Sequence, residues 1–227
     1  MRVTPIHRWD LTYRRAAALQ AELAPRVVRR GGPRKPRLVA GADISYEKKT
    51  DRFFAVVLVL RGETMEVVEE ARATGVSGFP YIPGLLSFRE APLLISAFRK
   101  IRSAPDLVLF DGQGIAHPRR FGLASHLGLI LDLPSVGCAK SVLVGNHEEP
   151  GRRRGAHAPM VHEGETVGSA LRTRDGVKPV YVSVGHKTGL AAARRAVLAC
   201  GRGYRIPEPT RLAHLAVNRF RREENDR

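Results

Sequence analysis

Leu38-Val-Ala-Gly-Ala-Asp43-Ile-Ser45, Phe53-Phe-Ala-Val-Val-Leu-Val-Leu-Arg61 and Met65-Glu-Val-Val-Glu-Glu-Ala-Arg-Ala73 follow one another in the chain. Each is a strand-like run, and the links between them are short and polar, Arg61-Gly62-Glu63 among them. A parallel pair needs a crossover of about a dozen residues or more, so links this short predict an antiparallel three-stranded meander.

Outward from the meander the period changes. Leu94, Ala97, Phe98 and Ile101 recur at helical spacing, Leu107 to Phe110 reads as a short buried strand, and a helical pattern runs from about Arg119 to Leu131. Val136 to Ala139 and Val180 to Val184 read as further buried strands, with the Gly-, Arg- and His-rich stretch 145–165 as a link between them. Two helices follow: Gly189 to Cys200, stopped by Gly201, and Leu212 to about Arg221, with Thr210 as N-cap. The order βββ-α-β-α-β predicts an α/β fold, a mixed sheet with helices on both faces. The 227 residues fit a single domain that includes a basic N-terminal helix and the C-terminal helices.

With 43% hydrophobic residues and a net charge of +16, the chain is too apolar for a disordered basic tail and too basic for a generic metabolic enzyme. The excess sits at the ends: residues 1–37 contribute +8 and residues 186–227 contribute +6, while 38–100 are neutral and 101–185 carry +2. That distribution suits a polyanion gripped by the flanks of a site whose centre holds carboxylates; an evenly solvated basic surface is the plainer alternative. Cys138 and Cys200 lie in apolar stretches and form neither a zinc spacing nor a disulfide framework. The longest apolar run, Phe53 to Leu60, is too short to cross a bilayer or act as a signal sequence, so the expectation is a cytoplasmic monomer with no membrane partner.

Three acids stand out. Asp43 lies among residues that read as sheet core, where an unpartnered carboxylate costs several kcal/mol; it is a metal ligand, a hydrogen-bonded structural acid, or an acid at a strand end facing solvent. Asp111 ends Leu-Val-Leu-Phe and precedes Gly112, either at the carboxyl end of a buried strand, where sheet-based sites gather, or in a plain Asp-Gly turn. Ser87-Phe-Arg-Glu90 matches a helix capping box, but Pro92 would then fall inside the helix. A helix that starts nearer Pro92 leaves Glu90 at its entrance. Three carboxylates on two strands and a helix start, in a basic protein, meet the needs of a two-metal phosphodiesterase using Mg²⁺. Competing motifs fail. Gly112-Gln-Gly114-Ile-Ala-His117 lacks the third dinucleotide-binding glycine, Gly185-His-Lys-Thr188 lacks the upstream glycine of a phosphate loop, and no Gly-x-Ser-x-Gly elbow is present.

Pro80-Tyr-Ile-Pro-Gly-Leu-Leu-Ser-Phe-Arg-Glu90, Asp111-Gly-Gln-Gly-Ile-Ala-His-Pro118, Gly137-Cys-Ala-Lys-Ser141 and Tyr204-Arg-Ile-Pro-Glu-Pro-Thr-Arg-Leu-Ala-His214 together resemble the endonuclease V (deoxyinosine 3′ endonuclease) family, from about Trp9 to Asn218. The resemblance implies a ribonuclease H-like fold, a requirement for Mg²⁺ or Mn²⁺, and cleavage of the second phosphodiester bond 3′ to a deaminated base, chiefly hypoxanthine, in DNA repair. It implies metal binding by Asp43, Glu90 and Asp111, makes Lys140 a candidate for contact with the scissile phosphate or the attacking water, and makes His214 a candidate near the metals. On spacing alone Lys140 reads equally as a snorkelling surface lysine and His214 as a structural histidine, and packing or a turn explains His117 and His126.

Pro80-Tyr81-Ile82-Pro83 corresponds in this resemblance to a wedge that fills the gap left by an extruded base, and a ring between two stiffening prolines suits that task. Gly84, Leu86, Gly112 and Leu123 align with positions lining the family's base pocket. The implied partner is DNA containing deoxyinosine, with inosine-containing RNA as a second substrate. The acids alone fit other ribonuclease H-like nucleases, such as junction resolvases or ribonucleases H. A non-catalytic nucleic-acid-binding module is the alternative from another class.

Overall fold

A computed structural model describes every residue except Arg2, Lys49 and Arg227. The meander is present: β1 (Leu38–Glu47), β2 (Arg52–Arg61) and β3 (Val67–Val76) pair antiparallel in chain order. The third strand begins later than expected because Met65, at φ 62°, closes the turn by donating its N–H to the Arg61 carbonyl at 2.8 Å. β4 (Leu107–Phe110) lies parallel to β1 on its other side, and β5 (Ser135–Ala139) lies parallel to β4. Three further strands, β6 (His157–His162), β7 (Glu165–Leu171) and β8 (Val180–His186), complete an eight-stranded sheet of order β3-β2-β1-β4-β5-β8-β7-β6.

Stretch 145–165 is therefore not merely a link. Ala158 and Met160 are buried in alternation on β6, and Glu163 and Gly164, at φ 53° and 76°, form a two-residue hairpin turn into β7. Both turn residues adopt the left-handed conformation that such turns require.

The central strands alternate between two cores, which is why they read as continuous apolar runs. Val39, Val56, Leu58, Leu107, Leu109 and Cys138 pack under α4 (Leu190–Ala199) and α5 (Glu208–Asn225), through Ala193, Val197, Ala213, Val217 and Phe220. Ala40, Ala42, Val57, Val59, Val108 and Phe110 pack on the opposite face under α2 (Leu86–Lys100) and α3 (Leu123–Leu131). α1 (Tyr13–Leu23) joins a third cluster with Phe79, Phe88 and Phe121. Both cysteines are buried and unbridged, Cys138 on β5 and Cys200 at the end of α4. Among the described residues no helix is long and apolar enough to cross a membrane.

Three helix starts differ from expectation. α2 begins at Leu86 and carries Pro92 inside it, so Glu90 sits in its second turn and not at its entrance. An interior proline costs roughly 3 kcal/mol. Burial of Leu94, Ile95 and Phe98, at roughly 1.5–3 kcal/mol each, outweighs that cost. Ser87 is no cap; its hydroxyl lies 3.0 Å from His126 Nδ1. α5 begins after Pro207, so Thr210 lies in its first turn, with its hydroxyl donating to the Pro207 carbonyl at 3.2 Å. The third helix starts at Leu123, and residues 119–122 form the turn before it.

Candidate active site

The parallel pairing of β1 with β4 places Ala42 opposite Phe110, so Asp43, midway along β1, and Asp111, just past the end of β4, are the next residues in register. Asp43 shares side-chain parity with Val39, and Asp111 with Leu107 and Leu109, which turns both toward the α5 face. Gly41 lets α5 come that close: a Cβ there would lie 2.0 Å from the Pro209 carbonyl oxygen. This approach sets His214 over Asp43, its Nδ1 2.8 Å from Oδ2, while Oδ1 accepts from the Ile44 N–H at 2.9 Å. Asn218, one turn on, places Nδ2 3.2 Å from His214 Nε2, and its own Oδ1 accepts from the Ser45 hydroxyl at 3.1 Å.

Lys140, the first residue after β5, donates to Asp111 Oδ2. Glu90 reaches the same charge cluster from α2. Burial first, and then the charges of Asp43 and Asp111, push its carboxyl up to about 8. Burial also raises Asp43 above the usual carboxylate range, and Asp111 adds to the effect against the opposing hydrogen bond from His214. Mutual repulsion among acids held by three different elements marks a place for positive charge.

Among the described residues no three His, Cys, Asp or Glu side chains are grouped so as to hold a metal ion by themselves. The donor set nonetheless fits a hard divalent cation such as Mg²⁺, which takes one or two carboxylates and fills its remaining positions with water and phosphate oxygens. Lys140 and His214 each engage one oxygen of Asp111 and Asp43, the two aspartates that would help to hold such an ion.

A cavity of about 410 Å³ adjoins this cluster and is lined by Asp111 and Lys140 together with Tyr81, Ile82 and Pro83. Gly84, Leu86, Gly112 and Leu123 line it as well, so of the expected substrate-binding residues only Pro80, exposed on the same loop, lies outside the lining. Tyr81 is 68% exposed and packs into no core.

Further polar groups build the pocket wall. Gly84, at φ +77°, offers its carbonyl to His117 Nε2 at 2.9 Å and to Arg119 Nη2 at 2.8 Å. Burial lowers the His117 pKa to about 4, and Arg119 adds to the shift, so the ring is neutral. It donates through Nε2 while Nδ1 accepts from the Arg119 N–H at 3.2 Å. Gln20 of α1 braces Arg119, accepting from Nε at 2.6 Å, and donates to the Phe121 carbonyl at 2.9 Å. Its signal was a polar residue at an apolar-stripe position, beside Ala16, Leu19 and Leu23. Gln113 donates to the Ser141 carbonyl at 3.0 Å and so ties the loop after β4 to the loop after β5. His126 is fully buried among Ser87, His7 and aromatic rings, the packed role that spacing allowed.

A family model described as Endonuclease V matches residues 21–215. The Endonuclease V of Dehalococcoides mccartyi is 50% identical over 217 residues, spanning 96% of this chain and 97% of that protein. The crystal structure of Endonuclease V from Streptomyces avermitilis superposes with a TM-score of 0.92 at 44% identity, covering 99% of this chain and all of that one. An Endonuclease V from Ciona intestinalis, solved with a 24mer DNA containing an inosine followed by a ribo-adenosine, superposes with a TM-score of 0.80 at 26% identity. The match covers 91% of this chain and 96% of that one.

Proposed function

The chain belongs to the endonuclease V family, whose ribonuclease H-like fold it has, and from that premise we propose that it cleaves nucleic acid beside a deaminated purine. On this reading it is a nuclease of DNA repair that takes hypoxanthine into the 410 Å³ cavity and hydrolyses the second phosphodiester bond 3′ to it. The observation that carries the reading is that a cavity roomy enough for a base is lined by Asp111 and Lys140. The whole chain acts as one catalytic unit, since both terminal helical regions contribute to the site: Gln20 from α1 and His214 from α5.

Asp43, Glu90 and Asp111 would hold Mg²⁺, with Mn²⁺ as a substitute. The bound cation supplies acidification of the attacking water and neutralisation of charge on the phosphate. The chain's own residues do the rest. Lys140 exchanges its bond to Asp111 for a phosphate oxygen, and His214, held by Asp43 and Asn218, stands ready to move a proton at the attacked phosphate. Tyr81 enters the stack as the base leaves it. Deamination turns the N6 donor of adenine into an O6 acceptor and makes N1 a donor. Backbone groups at Gly84, Leu86, Gly112 and Leu123 therefore accept hypoxanthine and mismatch adenine.

A second substrate is inosine-containing RNA, favoured by the ribo-adenosine that follows the inosine in the strand bound by the Ciona protein. Matched DNA and RNA strands with one inosine, incubated with Mg²⁺ and sized on a gel, test the reading. A single cut at the second bond 3′ to inosine is expected, absent from Asp43→Asn and Asp111→Asn, both of which still bind the strand. Equal cutting of strands without inosine, or activity of either variant within about tenfold of wild type, refutes it.

A further inference from the structure

The connector between α4 and α5 carries an exposed aromatic ring that nothing in the catalytic reading uses. Tyr204 is 52% exposed, and its ring centroid lies 4.1 Å from the guanidinium carbon of Arg211 in the first turns of α5. Surface contacts between such side chains are usually loose. Here Glu208, only 5% exposed, accepts from Arg211 Nε at 2.9 Å and from Nη2 at 2.6 Å and fixes the guanidinium plane. The ring therefore rests on an oriented support.

The residue next to it ties this support to the active site. Arg205 donates to the Lys140 carbonyl at 2.8 Å, to Pro179 at 2.8 Å and to Lys178 at 3.0 Å, while Thr173 donates to the Arg205 carbonyl at 2.6 Å. Arg211 also precedes His214 by three positions, so the two share one face of α5. Tyr204 thus stands on a braced connector between the Lys140 loop and the helix that carries His214.

We propose that the Tyr204–Arg211 pair is a stacking subsite for a nucleobase of the bound strand, on the far side of the scissile phosphate from the base pocket. The proposal rests on the nuclease reading for the strand's path, which runs from the Tyr81 pocket across Asp111 and Asp43 and leaves over the first turns of α5. Its ligand class follows from the chemistry of the pair. An aromatic ring backed by a cation stacks on any base, so the subsite grips the strand without reading sequence.

The test combines anisotropy binding of a fluorescent single strand containing inosine, in EDTA, with Mg²⁺-dependent cleavage of the same strand. Wild type, Tyr204→Ala and Tyr204→Trp are compared on a strand with all its bases and on strands abasic at successive positions beyond the cut. Tyr204→Ala should bind the intact strand about 5- to 150-fold more weakly, the span that a stacking contact of 1 to 3 kcal/mol represents. Tyr204→Trp should bind like wild type. One abasic position should cost wild type a similar factor and cost Tyr204→Ala nothing further. Binding by Tyr204→Ala within twofold of wild type, or losses that multiply at every abasic position, overturns the subsite. Should Tyr204→Ala melt lower than wild type, Tyr204→Leu, which keeps apolar cover without a ring plane, takes its place with the same two outcomes. Wild type that binds but does not cut at inosine removes the nuclease reading and leaves the binding arm to judge the subsite; wild type that binds neither strand removes both.

Discussion

Glu90 holds a carboxyl raised to about 8 by burial and by two neighbouring aspartates. Its folded pKa exceeds the ordinary 4.5, so the native state binds more protons than the unfolded chain between those values, and stability falls as pH rises through that window. Without metal, the melting temperature of Glu90→Gln should therefore exceed that of wild type by a margin that grows from pH 5 to pH 8. At about 2–4 °C per kcal/mol for a chain of this size, the margin is measurable by calorimetry. Added Mg²⁺ should close it by raising wild type alone. A variant that melts below wild type at pH 8 in EDTA would sink the assignment of Glu90 to the charge cluster. The acids were legible as residue types in apolar surroundings, and the family motifs singled out Lys140 and His214. Gln20 and His117 were not legible in their roles, because each acts through contacts to residues distant in sequence: Arg119 for Gln20 and Gly84 for His117.

Among elements, the loop from Ser77 to Leu85 carries the exposed Tyr81 at the lining of the pocket, the place proposed for the wedge. If the ring replaces an extruded base, Tyr81→Ala loses a stacking contact worth roughly 1 to 3 kcal/mol. The loss should appear mainly on duplex substrates, where the base must first be pulled from its stack, and less on single strands. Cleavage rates of Tyr81→Ala on both forms decide the matter, with equal losses pointing to support of the fold instead. The central strands were readable because both their faces are buried, which leaves unbroken apolar runs. β6 escaped notice because Pro159 and flanking polar residues disguise its alternation, and its turn uses Glu-Gly where Asn-Gly or Asp-Gly gives the strongest signal. α2 starts six residues before Pro92 because long-range packing overrides the local penalty of an interior proline.

For the whole molecule, the +8 and +6 flanks predict steeply salt-dependent binding. The pairs Arg15–Glu22 and Arg219–Glu223 lie within the flanks and are already counted in those net charges, whereas Arg29 pairs with Glu165 outside its own flank. The remaining cations should still make several phosphate contacts, each lowering log K by about 0.7 to 0.9 per unit of log salt. Titration of an inosine strand between about 50 and 200 mM salt should give a slope steeper than about −2; a slope near zero refutes polyanion binding through the flanks.

The two buried thiols give the molecule a built-in clock. Burial raises Cys138 far above the ordinary thiol range and pushes Cys200 up to about 12, so neither offers thiolate to a reagent while its surroundings stay closed. The folded protein should tolerate storage without reductant, and a bulky alkylating reagent should report how often the structure opens. Cys138 lies on a central strand and Cys200 at the end of an outer helix, so their separate labelling rates distinguish concerted opening from detachment of α4 alone.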